Sequence, residues 1–571
     1  MLNRLHQLLP ENSRQYREEI SQRITWGHWF ALFNIIIALI IASRYAFNSD
    51  WPNTLAGKLY FFVSLFGHFS FVVFAIYLLL LFPLSFVIKN SKTYRSISVL
   101  IATVGMAFLL LDTEVFKRFF LHLSPLVWDL LINPDEAELS RKWQLLFVPM
   151  PLIFLAEMLF SRWSWQKLRS LSRQRWGKYV ALFFLSCFSA THLLYASADL
   201  MLYRPITAQK ANYPLSYPMT VRSFLERHNL LDRVSFEQKL EEQGRPDTFY
   251  LNYPRHTLRY QNVPAPINLL FINLSGLSNE AIQTAQMPHL SNIAAKSRRF
   301  MQHYSSGDNI TAGIAGLFYG ISGRYVDAIL NEQEPSALVT SLEKAHYQFG
   351  LFSHNGFAEP IYQRALFKDF SLPQTQGNQQ SIAQWQQWLE NRAEQPFFSY
   401  LELDALVPLP TLDNQIAQIW QALEQHSLLS RTLVVITADL ASFESLPNMF
   451  DKKRIQVPML IYWQGEASRY TAMTSHLDIL PTILRQFFGV SSPISDYSQG
   501  IDLTQPNERK WLLSSNYKRN VAIMPDGEQF HVDAKGDFEH YDQNGEKLQG
   551  SRPPLALFLQ LIQHSNQFIE K

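Results

Sequence analysis

Between Lys58 and Lys89 the chain runs for thirty residues, LYFFVSLFGHFSFVVFAIYLLLLFPLSFVI, without an Asp, Glu, Lys or Arg. A helix crossing a hydrocarbon layer of about 30 Å needs roughly 20 apolar residues. A helix at the margin of a soluble core keeps a polar stripe, whereas this run is apolar on every face and reads as a membrane span. With the long run taken as Leu59–Val87, four further stretches approach the required length: Trp26–Ala46, Ile97–Glu114, Trp143–Phe160 and Lys178–Leu200. A five-helix transmembrane domain over 26–202 is therefore expected. The preceding residues, 1–25, are read as a cytoplasmic tail, and they lack the apolar centre of a cleavable signal peptide.

Orientation follows from basic residues in the short flanks. The tail (Arg4, Arg14, Arg17, Arg23), the second loop (Lys89, Lys92, Arg95) and the fourth loop (Arg162, Lys167, Arg169, Arg173, Arg175, Lys178) hold thirteen. The alternate loops hold six: Arg44, Lys58, Lys117, Arg118, Arg141 and Lys142. An odd number of spans then places the C-terminal part in the periplasm of a bacterial inner-membrane protein. Trp26, Trp29, Trp143, Trp163 and Trp176 are expected as interfacial anchors. Asn34, His68, Glu157, His192 and Asp199, in or near spans, are expected to bond between helices or sit near an interface. A site for a partner helix or lipid headgroup is the open alternative.

A formal net charge of +2 argues against a nucleic-acid binder. The single cysteine, Cys187, lies in an apolar run, so no internal disulfide supports the exported part. Residues 203–262 read as a juxtamembrane connector in which Pro205, Pro214 and Pro218 prevent one continuous helix. A short helix follows, with Thr220 as its possible cap. Arg204, Lys210, Arg222 and Arg227 alternate there with Tyr213 and Tyr217, which suits a phosphorylated lipid headgroup; a plain solvated linker is the alternative. Arg222 is the first choice for a bidentate phosphate contact.

Over 263–571, apolar runs such as INLLFINLSGL, PFFSYLELDA, TLVVITADLA and VPMLIYW alternate with helical periodicity, predicting a mainly parallel sheet covered by helices. MPHLSNIAAKSRRFMQHYSSG, TLVVITADLA, IQVPMLIYWQG and SHLDILPTIL resemble, in order, segments of the sulfatase/alkaline-phosphatase superfamily across Ile267–Asp502. That resemblance implies a sulfatase-like α/β fold, with membrane-anchored phosphoglycerol and phosphoethanolamine transferases as relatives by architecture. WGHWFALFNIII, DWPNTLAGKLY, GHFSFVVFAIYLLLLFPL, WSWQKLRSL, YRPIT, PLSYPMT and GLFYGIS further resemble the YejM (PbgA, LapC) family of Gram-negative inner-membrane proteins, almost from Arg14 to the C-terminus.

Enzymes of the superfamily hold a metal with carboxylates and imidazoles beside a nucleophile. Carried over by position, the acid at the end of the first strand is Ser275 here. The nucleophile position falls on Asn309, flanked by Asp308 and Thr311. The Asp-His pair becomes Asp439 followed by Leu440, and Lys452, Lys453 and Arg454 stand where a later ligand is expected. Asp439 is thus the one candidate metal ligand, and His476 with Asp478 suits a packed helix start at least as well as a site. The resemblance implies a pseudoenzyme that senses lipopolysaccharide (lipid A) without a cofactor. It would act through the LapB adaptor, which directs the FtsH protease to the LpxC deacetylase, and so maintain outer-membrane lipid balance. Three other readings stay open. One is a phosphatase or headgroup transferase using magnesium or another divalent cation at a reduced Asp308–Thr311–Asp439 site. The others are a cardiolipin-binding or transport protein and a scaffold.

Overall fold

The computed structural model describes residues 11–47, 51–124, 128, 148–374, 377–507, 509–533, 536–549 and 554–569. Arg4, Arg141, Lys142 and Trp143, with the start of the fourth expected span, lie outside them. The chain divides into two compact units, Met1–Asp232 and Arg233–Glu570. The expected connector 203–262 is therefore split. Its second half packs in the later unit, where Arg245 N donates to Asp327 and Leu251 N to Glu332.

Among its described residues the first unit contains five long helices: α1 Glu11–Ala46, α2 Leu55–Val87, α3 Ser91–Phe119, α4 Met150–Gln166 and α5 Gly177–Leu200. Of these, α1, α2, α3 and α5 are long and apolar enough to cross a membrane, whereas α4 has 17 described residues. Part of the expected tail is helical, because α1 starts fifteen residues before Trp26. Pro83 lacks the N–H that an α-helix would aim at Leu79 O, and α2 widens into a π-helix over Tyr77–Leu81 just before it.

Close approach and polar bonding hold the bundle together. A Cβ on Gly67 would lie 2.8 Å from the Cys187 carbonyl carbon, so α2 and α5 touch backbone to backbone there. Thr191 Oγ1 donates to Val63 O at 3.3 Å across the same contact. Trp26 is not an interfacial anchor: it is fully buried, stacks on Phe30 and donates its indole N–H to Ser161 O at 3.3 Å. Arg23 is also buried, and its Nη1 donates to Ile88 O and Lys89 O at 2.5 Å each, satisfying carbonyls beyond the end of α2. Asn34 donates to Glu157 at 3.2 Å, which joins α1 to α4.

In the second unit, seven strands form one sheet in the order β3-β4-β1-β5-β6-β2-β7. They are β1 Asn268–Ser275, β2 Arg298–Tyr304, β3 Gln348–Ser353, β4 Phe397–Asp404, β5 Thr432–Thr437, β6 Met459–Tyr462 and β7 Ser468–Ser475. All pairs are parallel except those made by β6, which runs against β5 and β2. Every residue of β1 is buried, as expected of a strand covered on both faces. Leu270, Ile272 and Leu274 join a core with Trp385, Leu412, Ile416 and Ile419, while Phe271 points the other way onto Phe318. A second, antiparallel sheet of five strands covers 512–548 and was not anticipated.

Candidate functional site

Open α/β sheets place ligands at the carboxyl ends of their strands, and the sulfatase-like residues gather there. Ser275 ends β1 and Asp439 lies two residues beyond β5. Ser275 Oγ stands 2.9 and 2.8 Å from the two Asp439 oxygens, Asn273 Nδ2 donates at 3.0 Å and Leu440 N at 2.6 Å. Asp439 is buried, and that burial pushes its pKa up to about 6 against the pull of those donors.

A second buried acid, Glu402 on β4, accepts from Ser353 Oγ at 2.6 Å and Tyr362 OH at 3.0 Å; Tyr362 OH also lies 2.6 Å from Tyr400 OH. Burial, then the negative charge of Asp439, holds its pKa up at about 7. Folded Glu402 therefore keeps its proton across the range in which the unfolded side chain, ordinarily at 4.5, releases it. The folded state then binds more protons, and this group's contribution to stability falls as pH rises from about 4.5 to 7. Glu402→Gln removes that ionisation, so its thermal midpoint should exceed wild type by about 3 °C at pH 8 and match it near pH 4.5. Parallel wild-type and variant curves across this range would assign the dependence elsewhere.

The residues around the position that the resemblance gives to a nucleophile are bonded to their neighbours. The helix α6 Arg222–Arg227 precedes this unit, and α7 Ile310–Tyr319 begins at the site. Asn309 caps α7, its Oδ1 accepting from Ala312 N at 2.9 Å. Asp308 accepts from Asn309 Nδ2 at 3.0 Å and Asn516 Nδ2 at 2.7 Å, and Thr311 Oγ1 donates to Glu359 at 2.7 Å. Arg454 turns toward backbone, with Nε donating to Asp308 O at 3.0 Å. His476 is fully buried between Gly313 O (3.1 Å) and Thr437 Oγ1 (3.2 Å), and burial lowers its pKa to about 4. It clamps α7 to β5.

This donor set does not fit a hard divalent cation, which takes about six oxygens. Asp439 is saturated by hydrogen-bond donors, Leu440 supplies no imidazole and Asn309 is committed to its helix. Among the described residues no group of three or more His, Cys, Asp or Glu side chains is placed to hold a metal. Asn273, Glu402, Glu359, Tyr362 and Tyr400 are parts of the pocket that the motif comparison missed. The one sequence signal for Glu402 is an acid inside the apolar strand PFFSYLELDA.

The connector residues sit in the first unit. Arg204 opens a helical turn, Arg204–Thr207, and Lys210 lies in the 3-10 turn Ala208–Ala211. Tyr213 does not face a headgroup: it is buried in a cluster with Tyr45, Phe61 and Phe69, where apolar neighbours hold the ring. Tyr217 is 71% exposed, with Leu215, Met219 and Phe224 also exposed nearby. Val221, rather than Thr220, precedes α6 as its cap residue, with no side-chain cap bond. Arg222 closes its fork on Asp199, Nε at 2.6 Å from Oδ2 and Nη2 against Oδ1. Arg227 Nε donates to Ser223 O at 3.0 Å on the exposed side of the helix.

Comparison with known proteins places the chain among relatives. A family model described as a domain of unknown function, DUF3413, matches residues 12–260, and one described as Sulfatase matches 409–490. An uncharacterized protein of Haemophilus influenzae is 45% identical, covering 98% of this chain and 98% of its own. Inner membrane protein YejM of Salmonella typhimurium is 42% identical, covering 97% of this chain and 99% of its own. Among solved structures, an alkaline phosphatase superfamily protein from Vibrio parahaemolyticus aligns with TM-score 0.45 and 13% identity over 55% of this chain and 91% of that one. The chain thus joins apolar helices long enough to cross a membrane to an α/β unit of which residues 409–490 match the Sulfatase family model. The chain belongs to the YejM family of inner membrane proteins.

Proposed function

We propose that the protein is a non-catalytic sensor of lipopolysaccharide, reading lipid A at the periplasmic face of the inner membrane. It regulates lipopolysaccharide synthesis through LapB and FtsH control of LpxC. The observation that carries this reading is the connector surface, where exposed Leu215, Tyr217, Met219 and Phe224 stand in the same stretch as Lys210 and Arg227. Rings and aliphatic groups bury in the headgroup–acyl boundary, while basic side chains attract phosphate. Saturation of the Asp439 carboxylate by Ser275, Asn273 and Leu440 favours a regulator over a hydrolase.

The Asp199 pair changes which substitution is informative. Arg222→Glu would set two acids face to face and disturb the fold as well as any ligand. Arg227→Glu reverses an exposed charge only, and is expected to weaken lipid A binding in nanodiscs about tenfold without shifting the thermal midpoint. Equal affinity for wild type and Arg227→Glu, with Tyr217→Ser/Phe224→Ser also unchanged, would reduce the connector to a linker.

Orientation is tested separately. Reporter fusions at Gln174 and Gln243 should read cytoplasmic and periplasmic respectively, as the basic flanks dictate. A cytoplasmic signal from Gln243 would overturn the sensing geometry.

A further inference from the structure

A second polar cavity of about 570 Å³ lies in the globular unit, at the amino ends of β2 and β7. Ser275 and Asp439 occupy the carboxyl ends of β1 and β5, so this cavity is separate from the sulfatase-like pocket. Strand alternation turns Ser297, Arg299 and Met301 to one face of β2, and all three line the cavity. In the parallel ladder Arg299 pairs with Arg469, which lines it too. Like charges set opposite one another on adjacent strands repel. Arg469 is exposed and Arg299 half-buried, so water screens part of this repulsion, but Arg299 Nε and Nη2 are shielded from solvent and, among the described residues, without a hydrogen-bond partner. The nearby acid, Glu466, is already paired with Arg298. Burial, then the Arg469 charge, lowers the Arg299 pKa.

The remaining wall suits a hydroxylated body. Ser291 Oγ donates to Ile282 O at 2.5 Å and Ser297 Oγ to Ile293 O at 2.7 Å, which leaves oxygen lone pairs for ligand hydroxyls. Gln283 adds an amide. The volume lies in the usual range of small-molecule sites, roughly 300–1,000 Å³.

We propose that this cavity binds a phosphorylated polyol, its phosphate monoester between Arg299 and Arg469 and its hydroxyls against Gln283, Ser291 and Ser297. The site is independent of the connector and of lipid A sensing. Both a free sugar or glycerol phosphate and a lipid headgroup ending in a phosphate monoester carry this chemistry.

The test is calorimetric titration of the full chain, in nanodiscs of zwitterionic lipid at matched ionic strength, carried out in the Arg227→Glu background to weaken binding at the connector. The probes are inorganic phosphate, glycerol 3-phosphate and short-chain phosphatidic acid below its micelle concentration. Glycerol 3-phosphate should bind more tightly than inorganic phosphate, and Arg469→Gln or Arg299→Gln should each weaken it about tenfold or more. Without ligand, Arg469→Gln should raise the thermal midpoint, because the repulsion is gone; this separates lost binding from lost folding. Arg469-dependent binding of phosphatidic acid but not glycerol 3-phosphate would identify the lipid source. Absence of binding by all three probes, or binding that Arg469→Gln leaves unchanged, overturns the site.

Discussion

Replacing Arg509 with Ala should destabilise the globular unit by about 3–5 kcal/mol, the usual effect of stripping the partner from a buried charge. Asp478 is fully buried and lies in SHLDILPTIL, the segment whose resemblance to sulfatases drew attention to it. Its oxygens accept from Arg509 Nη1 at 2.9 Å and Nη2 at 2.7 Å, and from Ser475 N at 2.8 Å and Ile501 N at 2.9 Å. The two backbone donors cannot neutralise the carboxylate once the guanidinium is gone. Denaturant unfolding of the full chain in detergent, followed by tryptophan fluorescence, measures the loss. The double variant Asp478→Asn/Arg509→Met should recover much of it, because no buried charge then remains. A loss below about 1 kcal/mol for Arg509→Ala would mean that water reaches Asp478 and the pair is peripheral.

The second large effect belongs to the helices. Gly67 lies where α2 meets the backbone of α5, and even a methyl group there overlaps Cys187 and Phe188 main-chain atoms at 2.8 Å. Gly67→Leu should therefore pry the two helices apart, and Gly67→Ala should do so less. Cys187 is the only cysteine in the chain and is buried, so it reports the separation directly. Its alkylation by a maleimide in mild detergent should quicken at least about tenfold in Gly67→Leu, since packing of small residues is what brings such helices into contact. An unchanged rate would show that the contact at Gly67 does not hold α2 against α5.

Long, all-apolar runs were legible because membrane spanning sets both length and composition. The strands at the heart of the mixed sheet were legible because burial on both faces demands continuous apolar runs. Direction was not: VPMLIYW reads as a buried strand, but nothing in its composition marks β6 as antiparallel. The five-stranded second sheet escaped notice because its strands span only 2–5 residues. The hairpin signals Asp526-Gly527 and Asn544-Gly545 stood in plain view between them. Trp26 and Tyr213 were misplaced for one reason. Aromatic residues near a span end suit an interface and a helix–helix core equally, and only packing tells them apart. Arg222 was expected to be available for phosphate because its partner, Asp199, lies 23 residues earlier and meets it only after the chain turns back. Within the sulfatase-like pocket, the presence of Asn309 and Leu440 where the resemblance puts a nucleophile and an imidazole was readable by position. The hydrogen bonds that saturate Asp439 were not, since Asn273 belongs to no motif.

The first part of the connector, from Gln209 to Arg222, is sewn to the helix ends. Gln209 donates to Gly57 O, His122 lies 2.9 Å from Ala211 O, His68 lies 2.8 Å from Pro214 O, Met219 N donates to His192 and Arg222 grips Asp199. These stitches run to α2, to the stretch just after α3, and to α5. A segment fastened in this way has no slack to absorb displacement, so it behaves as a lever rather than a tether. A displacement of that segment would be carried by these bonds to α2 and α5.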